Sequence, residues 1–215
     1  RGFLTVDSPE VERIVTGGIG SKRFRVTFRG PGGHSFAAFG LVNPVYALAD
    51  AARAVAAIEA PREPVTTHCV SVVGGGTSIN AIPETATMEV DLRSASAEVL
   101  ARIEARFLRA VQDAVAAENA ARSGGLTVEI VPVGDRPAGH TPNGAPLARL
   151  AQAAVASEGY SPSFEWSSTD ANVPMALGVP ALRIGSGGRG GRAHSLEEWI
   201  DVEEDVATVG ITEYA

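Results

Sequence analysis

Apolar residues alternate with polar ones along two stretches of this chain, and recur at helical spacing along three others. In residues 22–29, Phe24, Val26 and Phe28 face one way while Arg23, Arg25, Thr27 and Arg29 face the other, the period-2 pattern of a half-buried strand. Residues 84–93 repeat it with Ala86, Met88, Val90 and Leu92. Residues 44–60 carry Val45, Leu48, Ala52, Val55 and Ile58 on one helical stripe, with Pro44 in the first turn. Residues 97–122 form the longest expected helix, turning Leu100, Ile103, Phe107, Val111 and Val115 inward before Ser123-Gly124-Gly125 stops it. Strands rich in Val and Thr are expected at 65–73 and 126–133. The resulting order, β-α-β-β-α-β, is that of a ferredoxin-like unit: four strands with two helices on one face.

The flanking segments read differently. Residues 3–7 form a short strand of buried type that ends in Asp7, and 11–15 suggest another. Gly17-Gly18-Ile19-Gly20 breaks the pattern and marks a domain junction. After Gly134 come an expected helix at 145–159 with the stripe Leu147, Leu150, Ala154 and Val155, a strand at 163–166, a short helix within 170–177, a buried-type strand at 181–184 and a final helix at 202–214. Buried-type strands alternating with helices belong to a parallel or mixed sheet. The fold class is therefore α/β, with residues 1–18 and 134–215 forming part of one α/β domain and residues 19–133 inserted into it. Roughly 100 residues are few for a doubly covered sheet, and the chain begins at Arg1 with a strand already under way, so upstream sequence is expected.

Composition narrows the function. A net charge of −7 over 215 residues argues against nucleic acid or an anionic membrane surface as partner. No apolar run approaches the ~18 residues of a membrane span. Cys69 is the only cysteine, which excludes an internal disulfide and favours a reducing compartment; a cytoplasmic location is the expectation.

Candidate chemistry gathers in loops. Gly185-Ser186-Gly187-Gly188-Arg189-Gly190 fits G-x-G-x-x-G, but no helix follows directly and no second strand follows within ~30 residues, so a dinucleotide site is rejected. His194 stands just before Ser195-Leu196-Glu197-Glu198, where Ser195 and Glu198 have capping-box spacing; it is either a metal ligand or a loop histidine bonded to backbone. Asp170 is an N-cap candidate. Asp7, at a strand end, is a candidate ligand or a turn residue. His34 follows Gly30-Pro31-Gly32-Gly33, whose glycines permit close approach to another surface. Asn80 is a turn residue or a reader of substrate, and Arg136 a surface ion pair or a carboxylate clamp. His68 and His140 receive no role. H-E-x-x-H, C-x-x-C and G-x-S-x-G are absent.

Gly30-Pro31-Gly32-Gly33-His34-Ser35, Gly75-Gly76-Thr77-Ser78-Ile79-Asn80-Ala81-Ile82-Pro83 and the strand ending Asp91-Leu92-Arg93 resemble the lid or dimerisation domain of the co-catalytic zinc exopeptidases and deacylases, which include peptidase T, carboxypeptidase G, acetylornithine deacetylase and aminoacylase. Arg136-Pro137, Ser168-Thr169-Asp170-Ala171 and Ala193-His194-Ser195 resemble the closing part of their catalytic domain. The resemblance implies a partial zinc-peptidase α/β domain with the lid inserted, and a homodimer formed through residues 19–133. It implies two zinc ions, one bound by His194 and the other by Asp7, with a zinc-bound hydroxide attacking a peptide or amide carbonyl. His34 would stabilise the oxyanion in the partner subunit's site, Asn80 would contact substrate and Arg136 would clamp a substrate carboxylate. Short peptides are the expected substrates and N-acyl amino acids the alternative. The family's His-x-Asp motif, bridging aspartate and Glu-Glu pair have no counterpart here, so the chain by itself is expected to be inactive. The reading from another class is a non-catalytic dimerisation module.

Overall fold

A computed structural model describes residues 2–193 and 195–201. In chain order the elements are β1 (Phe3–Val6), β2 (Arg13–Gly18), β3 (Gly20–Arg29), β4 (Gly33–His34), α1 (Pro44–Ala56), β5 (Thr66–Gly75), β6 (Ala81–Ile82), β7 (Thr85–Ser94), α2 (Ala97–Ala121), β8 (Thr127–Arg136), β9 (Gly139–His140), α3 (Pro146–Ser157), β10 (Ser163–Ser167), α4 (Asn172–Ala176), β11 (Ala181–Ile184), β12 (Gly190–Gly191) and β13 (Trp199–Ile200). The chain divides into two compact units, Ser21–Arg136 and Arg1–Gly20 with Pro137–Ala215. No described helix is long and apolar enough to cross a membrane.

Within Ser21–Arg136 the sheet runs β5-β7-β3-β8, with β5/β7 and β3/β8 antiparallel. Phe24, Val26 and Phe28 of β3 and Ala86, Met88, Val90 and Leu92 of β7 are buried together with Leu100, Ile103, Phe107 and Val111 of α2. Alternation thus puts one face of each strand under the helices. The outer face carries ion pairs instead: Arg23 with Asp91 at 3.0 Å and Arg25 with Glu89 at 2.7 Å. Ser96 Oγ caps α2 by accepting from Val99 N–H, and Asn43 Oδ1 caps α1 by accepting from Val45 N–H. The expected stripe of α1 holds except at its first position: Leu48 and Val55 are buried, Ala52 and Ile58 pack partly buried on the same core, and Ala47 and Ala51 join them, whereas Val45 is exposed.

The other unit holds a mixed sheet in the order β1-β11-β2-β10, with β9 added to β2. β1 pairs parallel to β11 and β10 parallel to β2, while β11 meets β2 antiparallel. α3 covers one face, packing Ala148, Ala151 and Val155 against Ile14, Leu182 and Ile184.

Four expectations are corrected here. Gly17 and Gly18 lie inside β2, so they do not break the strand. A Cβ on Gly17 would sit 2.0 Å from Cδ2 of Trp166, and one on Gly18 would meet the Asn172 side chain; these glycines serve close packing. β1 is an edge strand with Phe3, Leu4 and Val6 exposed, so it is not of buried type. Leu150 points outward from α3 at 68% exposure, because Ala148 and Ala151 take the inward face. Ser195 opens a turn and no helix: its hydroxyl accepts from Glu197 N–H, and β13 follows at Trp199 to pair with β12. The expected helix at 202–214 lies outside the described residues.

Candidate functional site

The Ser21–Arg136 unit ends in a cleft of about 650 Å³ between β4 and the β5–β6 connection, lined by His34, Thr77, Asn80 and Glu84 among others. The short β4/β6 ladder builds it. His34 pairs in register with Ala81 and Gly33 with Ile82, and Ser35 N–H donates to Asn80 O at 2.9 Å. His34 and Asn80, 46 positions apart in the sequence, are thereby side by side. Gly32 has φ +67, and a Cβ there would meet Glu84 Cγ at 2.5 Å, so the loop needs glycine for both its backbone and its neighbour. The His34 Nδ1 accepts from the N–H groups of Phe36 and Ala37, and Asn80 Oδ1 accepts from the Ser78 hydroxyl.

In the other unit, Asp7 directly follows β1, and its N–H donates to Ile184 O at 3.0 Å. The turn behind it is fastened: Ser8 adopts φ +65, and its carbonyl accepts from Ser186 N–H at 2.7 Å and Ser186 Oγ at 2.9 Å. Asp7 and the glycine-rich loop after β11 therefore share one end of the sheet. Arg183 of β11 is buried beneath them, with Nη2 4.0 Å from Glu10 Oε2. Burial pushes its pKa down from the ordinary value, and the nearby charge of Asp7 works in the opposite direction. The Ser8 hydroxyl, 2.5 Å from Glu10 Oε2, holds the Glu10 carboxyl below its ordinary range against the effect of burial.

The remaining sites resolve unevenly. Arg136 is the last residue of β8, opposite Ser21, in the same unit as His34 and Asn80. Asp170 does not cap a helix: α4 begins at Asn172, its N-cap position is Ala171, and no side chain caps it. The residue that organises this segment is Asn172, fully buried, which accepts from Thr169 N–H and donates to Ile19 O and Pro137 O. Sequence reasoning missed it, along with Ser78 and Arg183; S-x-N spacing around Asn80 was the one available signal, for Ser78. His140 stacks on Trp166 at 5.1 Å and His68 Nε2 meets Ile58 O at 2.8 Å, so both have structural partners. His194 lies outside the described residues. Among the described residues no group of three or more His, Cys, Asp or Glu side chains could hold a metal ion. Asp7 by itself does not fit a closed zinc site, which needs about four ligands.

Comparison with known proteins bears on both units. The sequence profile described as a peptidase dimerisation domain matches residues 16–119. No curated protein sequence matches. Among solved structures, the aminopeptidase PepT of Bacillus cereus is 24% identical with a TM-score of 0.76, over 98% of this chain and 56% of its own. A Staphylococcus aureus tripeptidase is 17% identical with a TM-score of 0.77, over 99% and 56%. An amidase of the hydantoinase/carbamoylase family from Burkholderia vietnamiensis is 18% identical with a TM-score of 0.68, over 98% and 51%. The shared α/β fold extends across the whole chain, which spans about half the length of these structures.

Proposed function

We propose, from the premise that residues 16–119 belong to the peptidase dimerisation domain family, that this chain is the lid-bearing part of a homodimeric hydrolase of peptide or amide bonds. The observation that carries this reading is the cleft in which β4 and β6 bring His34 and Asn80 together. Two hydrogen-bond donors on a preformed ladder suit a carbonyl oxygen that gains negative charge during acyl transfer. His34 holds that oxygen, Asn80 orients the substrate beside it, and Arg136 binds a substrate carboxylate. Dimerisation is supported by the exposed Val72 and Val73 on the edge strand β5, since an open strand edge is a template for pairing.

Zinc is the metal that the family resemblance implies, with Asp7 and His194 as its ligands in this chain. Two such ligands do not close a site, so the 215-residue chain binds zinc weakly and does not turn over. Short peptides are the favoured substrates. The amidase among the similar structures favours N-acyl amino acids as the second reading.

The test compares the 215-residue chain with the product of its whole coding sequence, each with added zinc, on a panel of dipeptides, tripeptides and N-acyl amino acids. The expected result is turnover by the whole product only, falling about 10²–10³-fold in His34→Ala. Robust turnover by the 215-residue chain refutes the incomplete site. A whole product inert on every substrate refutes the enzyme and leaves a dimerisation module.

A further inference from the structure

His34 and Asn80 do not decide the charge of what enters their cleft. An imidazole and a carboxamide each bring donor and acceptor atoms, and Asn80 Oδ1, which accepts from the Ser78 hydroxyl at 2.6 Å, keeps a second lone pair. The charge is set by the other polar residues of the lining. These are Thr77, Thr85 and Glu84, with no Lys or Arg among them. Glu84 is thus the only carboxylate on the lining among the described residues, and the proposed function gives it no role.

Its surroundings set it apart from a surface acid. Gly30 N–H donates to Glu84 O at 2.9 Å, which fixes its backbone against the loop that leads to His34. Its stem lies over Gly32, where a Cβ would meet Cγ at 2.5 Å, so glycine keeps open the place the side chain occupies. Gly32 and His34 are two positions apart, no more than about 7 Å of backbone. The amino end and first carbonyls of a short peptide bridge such a span. Further along the same chain segment, Glu89 and Asp91 of β7 are paired with Arg25 and Arg23. The Glu84 carboxylate has no such partner among the described residues.

We infer that Glu84 is a specificity-determining residue, whose carboxylate binds the α-ammonium group of a peptide that places a carbonyl at His34 and Asn80. A charge-assisted hydrogen bond of this kind is stronger than a neutral one. An N-acyl amino acid has no ammonium group to offer. It carries a negative charge of its own, and on filling the cleft it takes water from Glu84 without supplying a charged donor. One side chain therefore attracts the first class of substrate and rejects the second. The inference rests on reading the cleft as substrate-facing, and it selects between the two substrate classes which that reading leaves open.

The experiment titrates the 15N-labelled 215-residue chain with glycinamide hydrochloride, a cation with one ammonium and one carbonyl, and with uncharged N-acetylglycinamide, at neutral pH and equal ionic strength. Expected is saturable movement of the Gly32 and Glu84 amide signals with glycinamide, several-fold weaker with N-acetylglycinamide. Glu84→Gln should remove this preference and Glu84→Asp should partly restore it. In the product of the whole coding sequence, Glu84→Gln should raise KM for trialanine about five-fold with kcat little changed, and should not weaken inhibition by N-acetylalanine. Equal binding of the two probes, binding of neither, or a preference that survives Glu84→Gln overturns the ammonium site. So does an unchanged KM for trialanine in an active whole product. A whole product inert on every substrate overturns the proposed function, yet leaves a glycinamide preference in the 215-residue chain as support for the ammonium site.

Discussion

The two units solve the same packing problem with different means. Ser21–Arg136 buries Phe28, Met88, Leu92, Ile103 and Phe107 completely, in one continuous cluster that both helices and the sheet share. Among the described residues, the unit made of Arg1–Gly20 and Pro137–Ala215 has two small clusters in which alanines fill many of the places: Ala148 and Ala151 in one, Ala171 and Ala181 in the other. It leaves Leu4, Val6, Leu150 and Leu177 largely exposed. Apolar side chains stabilise in proportion to the area they remove from water, so the described apolar residues of the second unit contribute less through burial than those of the first. That unit is held more by specific polar ties, such as those of Asn172, and by glycines that admit Trp166. The Ser21–Arg136 unit thus carries the His34 cleft on the β4/β6 ladder beside a large continuous core, and the unit bearing Asp7 leans on directed bonds such as those of Asn172.

The sharpest way to break this comparison is at the centre of the large core. Phe107→Ala should cost about 3–5 kcal/mol, read as a lowered urea midpoint for the transition of Ser21–Arg136. A cost below about 1 kcal/mol would mean that the cluster is not the source of that unit's stability. Next comes Asn172→Ala, which strands Thr169 N–H and the Ile19 and Pro137 carbonyls; about 1–3 kcal/mol is expected, confined to the other unit. Monitoring Trp166 and Trp199, the only two tryptophans and both in that unit, reports its transition separately. If both variants shift one shared transition equally, the units unfold as one and the contrast fails.

Acid should sharpen the picture at a smaller scale. Burial tends to raise the Asp91 carboxyl, but hydrogen bonds from Arg93 and Arg23 outweigh it and leave its pKa below the ordinary 3.8. A carboxylate whose folded value is depressed contributes stability that is present above its unfolded value and lost as pH falls through the folded one. Ser21–Arg136 should therefore lose stability below about pH 4, and Asp91→Asn should flatten that slope while leaving the tryptophan-reported transition unmoved. An unchanged slope would show that the outer-face ion pairs are solvated and without net effect. The smallest effect belongs to Leu150→Ala, within about 0.5 kcal/mol, since a side chain 68% exposed buries little. A large loss there would mean that this face of α3 is covered in solution.

Much of the fold was legible because it rests on local period. In β3 and β7 a two-residue repeat leaves only one apolar face to bury, and in α2 the spacing of Leu100, Ile103, Phe107 and Val111 permits only one inward stripe. The candidate residues were legible as types in loops: His34 after glycines, Asn80 in a turn, Asp7 at a strand end. Their company was not. The meaning of Gly17 depends on Trp166, and that of Gly18 on Asn172, each about 150 positions away; a glycine shows its freedom in sequence but not what presses against it. Ser195 and Glu198 have capping-box spacing, yet the chain turns into β13 instead, because pairing with β12 offers the backbone other partners. The amino-acid sequence by itself determined the main strands and helices, the inserted βαββαβ order and the net charge of −7. Only the tertiary structure decided which loops meet, as His34 and Asn80 do, and which apolar stripes are covered, because hydrogen-bond partners and burial are properties of chains brought together and not of neighbours along one chain.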